Sequence, residues 1–187
     1  MSKFLLIGPS QGGKTTIMYS YKGKEAPNEN GESLATVDTD SVDVGGIFGI
    51  GGDHLLEYGG NDPNIVNTIE ELKDLNDTKV LFVFDGNAFI KQLSSQSDGG
   101  EIYARWLHYS KNAEIIRPHF VATHADLVPE MEVMIRGLVA DANRHYNAML
   151  DGSGVERYQS TLFNPPFFHC INAKDREQVK AMFKTIK

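Results

Sequence analysis

The chain has 187 residues, 41% hydrophobic and 23% charged, which suits one well-cored globular domain over residues 1–187. Its net charge of -7, with no local basic stripe, argues against non-specific nucleic-acid binding, because neutralising phosphates requires clustered Lys and Arg. The sole cysteine, Cys170, excludes an internal disulfide, and the sequence has no membrane-length apolar run, signal-peptide pattern or lipidation motif, so the expectation is a cytoplasmic domain without an intrinsic membrane anchor.

Residues 4–7, Phe-Leu-Leu-Ile, form a short apolar run bounded by glycine, the pattern of a buried parallel strand. Gly8 to Thr15 then spell G-x-x-x-x-G-K-T, a phosphate-binding loop. The residue types follow from the chemistry. Gly8, Gly12 and Gly13 allow a tight turn whose N–H groups point at an anion, and a helix starting near Lys14 adds the positive end of its dipole. Lys14 can reach the outer phosphates of a nucleoside triphosphate, and the Thr15 hydroxyl is a hard oxygen ligand suited to Mg²⁺. Gln11 and Thr16 complete the expected phosphate contacts.

The following helix covers residues 14–21, with Ile17 and Met18 inward, and residues 22–31 form a polar loop. Residues 33–40 are extended in character and carry Thr36 and Thr39. A second strand spans 42–50 with a bulge or turn at Gly45-Gly46, and a third spans 53–57, broken by Tyr58-Gly59-Gly60-Asn61. Ile65, Ile69 and Leu72 lie at helical spacing within 64–75. The fourth strand, 79–85, is continuously apolar, so both its faces are expected to be covered by helices. A polar loop over 94–100 precedes a helix over 101–110, which carries Ile102, Trp106, Leu107 and Tyr109. A fifth strand spans 118–123. A long helix follows over 128–150, with Met131, Met134, Ile135, Leu138 and Val139 on its apolar side. Residues 151–166 read as an irregular insertion, 167–171 as the sixth strand, and 173–186 as a last helix with Val179, Met182, Phe183 and Ile186 inward. Strands alternating with helices predict an α/β fold with a mostly parallel central sheet of about six strands.

Ligands of an open α/β sheet bind outside the carboxyl ends of its strands. At those ends stand the phosphate loop, Glu57-Tyr58-Gly59-Gly60-Asn61, Thr123-His124-Ala125-Asp126 and Asn172-Ala173-Lys174. In this order the motifs resemble those of the Ras-like GTPases, nearest the branch of the Arf proteins and the beta subunit of the signal recognition particle receptor. Those proteins carry a phosphate loop, a switch threonine, D-x-G-G-Q, N-K-x-D or T-K-x-D, and S-A-K. The resemblance covers essentially the whole chain, and residues 80–89 also look like the receptor subunit's fourth strand.

The resemblance implies a three-layer P-loop NTPase fold, GTP or GDP as ligand, Mg²⁺ as cofactor and a protein effector or regulator as partner. By the same carry-over Asp126 accepts two hydrogen bonds from the guanine edge, Thr123 braces the phosphate loop, the Ala173 N–H faces the guanine carbonyl, and Lys174 packs beside the base. Asp126 also reads as the N-cap of the next helix, and Lys174 as a solvated helix-start lysine. Thr36, with Thr39 as alternative, stands as the switch threonine on Mg²⁺, and Gly60 offers its N–H to a γ-phosphate.

Three positions depart from the pattern. His124 replaces the lysine whose stem lies along the base; it reads either as a stacking imidazole or as an exposed loop histidine. Glu57 replaces the aspartate that holds Mg²⁺ through water, and Asn61 replaces the glutamine that orients the attacking water, one methylene shorter. The expectation is therefore a guanine-nucleotide switch with slow GTP hydrolysis. The alternatives are a non-catalytic GTPase-like binding module and a small-molecule kinase with the same loop. For the kinase, only Arg157 stands in the 151–166 insertion as a candidate lid arginine.

Overall fold

A computed structural model describes residues 3–24, 40–44, 53–57, 78–95, 102, 118–150 and 167–186. The described strands are β1 (Lys3–Ile7), β2 (Asp40–Val44), β3 (Asp53–Glu57), β4 (Thr78–Asp85), β5 (His119–Thr123) and β6 (Phe168–Cys170). They join in one sheet in the order β2-β3-β1-β4-β5-β6. β2 runs antiparallel to β3, and every other pairing is parallel. The described helices are α1 (Lys14–Lys22), α2 (Gly86–Ser94), α3 (Met131–Leu150) and α4 (Arg176–Ile186).

Alternation along the strands sends apolar side chains to both faces of the sheet. Leu5, Ile7, Phe82, Phe84 and Phe120 pack against Phe89 of α2 and against Met131, Ile135 and Val139 of α3. Phe4, Leu6, Leu81, Val83 and Val121 pack against Ile17 and Met18 of α1 and against Val179, Met182, Phe183 and Ile186 of α4. The result is helix, sheet, helix. Among the described residues, Phe4, Phe82, Phe84, Phe89, Phe120 and Phe183 are completely buried. Burial of each such side chain stabilises the fold by about 1.5–3 kcal/mol before ordering entropy is counted. Because β1 lies between β3 and β4, the loop that follows it emerges from the interior of the sheet.

Several boundaries differ from expectation, each for a local reason. α1 continues through Lys22, which was expected in the loop. Gly23, at φ 73°, then ends the helix, with its N–H on the Ser20 carbonyl and the Lys24 N–H on the Tyr19 carbonyl. β2 begins at Asp40, two residues before the expected strand, and residues 45–50 lie outside the described residues. α2 was not anticipated. Asp85 caps it by accepting the Ala88 N–H at 2.9 Å, and the helix takes in Ser94, which was expected in a loop.

α3 begins at Met131 rather than 128. Pro129 disfavours helical geometry at Val128, and Glu130 has φ 55°. Asp126 is consequently not the N-cap of α3. Within α3, Met131, Ile135 and Val139 are buried and Leu138 partly so, but Met134 is 43% exposed and does not share their face. α4 begins at Arg176 rather than 173, because the Asp175 carboxylate accepts the N–H groups of Glu177 and Gln178 at 3.0 and 3.2 Å. The Gln178 side chain returns a hydrogen bond to Asp175 at 2.9 Å, a capping arrangement that fixes the start of the helix. The helix expected over 64–75, most of that over 101–110, and the 151–166 insertion lie outside the described residues.

Candidate functional site

The carboxyl ends of β1, β3, β4, β5 and β6 share one edge of the sheet, since these strands are parallel. The phosphate-binding sequence leaves β1 at that edge. Gly8 has φ 138°, and a β-carbon there would lie 2.0 Å from the Val83 carbonyl oxygen. Only glycine lets the loop run this close to β4. Gly13 has φ 92° and serves as the N-cap of α1, where a β-carbon would press on Thr123 at 3.0 Å. Gln11 adopts φ 61°, a left-handed conformation uncommon for a residue with a side chain. Left-handed residues interspersed in a tight turn are the geometry that gathers backbone N–H groups into an anion-binding concavity.

Lys14 is buried, and its ammonium donates to the carbonyls of Gly8 at 3.1 Å and Pro9 at 2.9 Å. A lysine is rarely buried unless paired, and here it is folded over the loop rather than extended into solvent. Thr15 and Thr16 lie in the first turn of α1 and are partly accessible.

The loop is also held from β5. Thr123 is completely buried, and its hydroxyl lies 3.0 Å from the Gly12 carbonyl, 3.2 Å from the Phe84 carbonyl and 3.0 Å from Nδ1 of His124. His124 has φ 61°, and its Nδ1 faces an oxygen of Asp85 at 3.5 Å. The same Asp85 oxygen caps α2. Asp85 was given no role in the sequence reading. Its signal was an acidic residue at the end of an apolar strand, three positions before an amide that needs an acceptor.

Two turns flank this network. One carries Asp126, whose carboxylate has no hydrogen-bond partner among the described residues; the turn closes with the Leu127 N–H on the His124 carbonyl at 3.0 Å. The other carries Asn172, Ala173 and Lys174, where the Asn172 side chain accepts the Lys174 N–H at 3.0 Å. The two are tied together by the Ala125 N–H on the Ile171 carbonyl at 3.2 Å. The Ser20 hydroxyl of α1 donates to the Ala173 carbonyl at 2.6 Å. The structure thus brings Gly8, Gln11, Gly12, Gly13, Lys14, Thr15, Thr16, Thr123, His124, Asp126, Ala173 and Lys174 to one edge on linked segments. Glu57 ends β3 in register with Leu6 of β1, one strand from the loop. Thr36, Thr39, Gly60 and Asn61 lie outside the described residues.

Two other groups lie outside this network. Nδ1 of His119 lies 3.4 Å from Nε2 of His169, between β5 and β6. Burial, then the neighbouring His169 and Lys79, pushes His119 down to about 4, and burial lowers His169 as well. The Cys170 thiol is pushed up to about 12, first by burial and then by Glu132, so it stays protonated and unreactive at neutral pH. Among the described residues no group of three or more His, Cys, Asp or Glu is placed to hold a metal ion, and no helix is long and apolar enough to cross a membrane.

No family model and no curated protein matches the chain. Solved structures do. The chain is similar to a probable GTP-binding protein, EngB, at 17% identity and a TM-score of 0.60, over 99% of this chain and 98% of that one. It is also similar to the bacterial selenocysteine-specific elongation factor EF-Sec, at 18% identity and a TM-score of 0.52, over 100% of this chain. The chain spans 29% of the length of that factor. The chain shares the α/β fold of these structures, a mostly parallel sheet with flanking helices.

Proposed function

We propose that the protein is a guanine-nucleotide-binding switch with slow GTP hydrolysis, nearest the Arf and signal recognition particle receptor branch by the order of its motifs, and that it acts in the cytoplasm through a protein partner. The observation that carries the reading is the braced phosphate loop: Gly8, Gly12 and Gly13 pressed against neighbouring backbone and side chains, Lys14 folded over the loop, and Thr123 on the Gly12 carbonyl. In this reading the loop N–H groups and the α1 dipole hold the phosphates, and Lys14 exchanges its loop carbonyls for the outer phosphate oxygens, which are the stronger acceptors. Asp126 reads the guanine edge beside the Ala173 N–H, with His124 and Lys174 flanking the base. The description of EngB as a probable GTP-binding protein supports guanine.

The hydroxyls of Thr15 and Thr36 and the carboxylate of Glu57 are hard oxygen donors that suit Mg²⁺, which neutralises phosphate charge when bound. Thr15, in the first turn of α1, and Glu57, one strand away, come from adjacent segments, which fits that assignment. Gly60 offers an N–H to the γ-phosphate, and Asn61 orients the attacking water with a shorter reach than glutamine. Glu57, Asn61 and His124 also favour a second reading, a non-catalytic module that holds nucleotide for structure.

Single-turnover hydrolysis of bound GTP separates the two. The switch hydrolyses GTP slowly, and Asn61→Gln speeds it at unchanged affinity. A module that retains intact GTP in both forms would contradict catalysis while keeping the nucleotide site.

A further inference from the structure

The Thr123 hydroxyl has one proton and three neighbours within hydrogen-bond reach: the Gly12 carbonyl, the Phe84 carbonyl and Nδ1 of His124. Carbonyls only accept. If the proton goes to a carbonyl, Nδ1 must itself be an N–H that donates to the hydroxyl. If the proton goes to Nδ1, neither carbonyl receives it, and the brace on the phosphate loop is lost. Thr123 cannot decide between these arrangements, because the histidine tautomer is set by what else faces the ring.

Asp85 faces it. Its Oδ1 lies 3.5 Å from Nδ1 and is fixed in place by the Ala88 N–H at the start of α2. A carboxylate oxygen repels a nitrogen lone pair and attracts an N–H, so it favours protonated Nδ1. The left-handed backbone at His124 sets the ring's starting point, and the ring remains partly accessible, with 42% of its side-chain surface exposed.

We propose that Asp85 is a positioning residue for the nucleotide site: it holds His124 as the Nδ1–H tautomer, and so keeps the Thr123 proton available to the Gly12 and Phe84 carbonyls while leaving Nε2 as an acceptor. The link runs from the start of α2 through Asp85, His124 and Thr123 to the phosphate loop. Its effect on nucleotide rests on the reading given under Proposed function; the tautomer itself does not.

Two measurements test it. Long-range ¹H–¹⁵N correlation spectra of the imidazoles in nucleotide-free protein should show His124 protonated on Nδ1. Asp85→Ser keeps an oxygen to cap α2 but is neutral and too short to face His124; it should shift the ring toward the Nε2–H form. Asp85→Asn keeps the reach and an acceptor oxygen, and should restore the Nδ1–H form. GTP affinity, measured by calorimetry, should fall about fivefold in Asp85→Ser, the scale of one hydrogen bond, and recover in Asp85→Asn. An Nε2–H tautomer in the unmodified protein, or a tautomer unmoved by Asp85→Ser, would overturn the proposal. Should the unmodified protein bind no GTP while Asp85→Ser still moves the tautomer, the link from Asp85 to His124 stands and the nucleotide reading alone fails.

Discussion

The hydroxyl of Thr123, at the end of β5, lies 3.0 Å from the carbonyl of Gly12, 111 residues earlier in the chain. This contact fastens the phosphate loop to a strand two places away across the sheet, so the loop's shape depends on tertiary packing as well as on its glycines. Thr123→Val keeps the shape and removes the hydroxyl. It is expected to lower the unfolding free energy by about 1–3 kcal/mol, measured by urea denaturation. Thr123→Ser, which keeps the oxygen, is expected to cost less. Equal stability of the valine variant and the unmodified protein would show that the brace contributes nothing.

Glycines at two places should respond with opposite sign. Gly8→Ala puts a methyl 2.0 Å from the Val83 carbonyl at φ 138°. The expected destabilisation exceeds about 2 kcal/mol, since neither the strand nor the loop can yield without losing hydrogen bonds. Gly137 sits inside α3 with open space where a β-carbon would go. Gly137→Ala should stabilise by about 0.5–1 kcal/mol through helix propensity and a less flexible unfolded chain. Thermal melts of the two variants check both signs.

The pH dependence of stability should carry the mark of His119. Its imidazole takes a proton near pH 6.5 when unfolded and only near 4 in the fold. Between those values the unfolded chain binds more protons, so acidification from 6.5 toward 4 favours unfolding. Above 6.5 both states are neutral at this residue, and its contribution is flat. The loss across that window is at most on the order of 3 kcal/mol. His119→Phe should reduce the slope of unfolding free energy against pH in that window, and His169, which burial also lowers, contributes in the same direction. A slope unchanged by the substitution would contradict the assignment.

Much of this architecture was legible in the sequence because its signals are local. The run 4–7, the glycines and Lys14 specify a strand, a turn and a helix within a few residues, and the apolar run of β4 reads as a central strand. The inward residues of α4 follow from helical spacing alone. The missed features depend on one or two residues each. Asp85 starts α2, Asp175 delays α4, and Pro129 with Glu130 delays α3; a one-residue cap carries little weight beside a hydrophobic period. Met134 was assigned inward by spacing and lies near the surface, because α3 buries a narrower stripe than the pattern suggests. The Thr123–His124–Asp85 network was legible only in part, since it joins the ends of two strands whose pairing the sequence does not state.

Guanine-nucleotide binding is measured by calorimetric titration of the Mg²⁺-equilibrated protein, stripped of bound nucleotide, with GTP and with ATP, and with Lys14→Ala as control. GTP should bind saturably and one to one, ATP at least about tenfold more weakly, and a Lys14→Ala protein that still unfolds cooperatively should lose measurable GTP binding, on the order of the charge-assisted contacts removed. Equal affinity for ATP and GTP, or GTP affinity unchanged by Lys14→Ala, would contradict the proposed function.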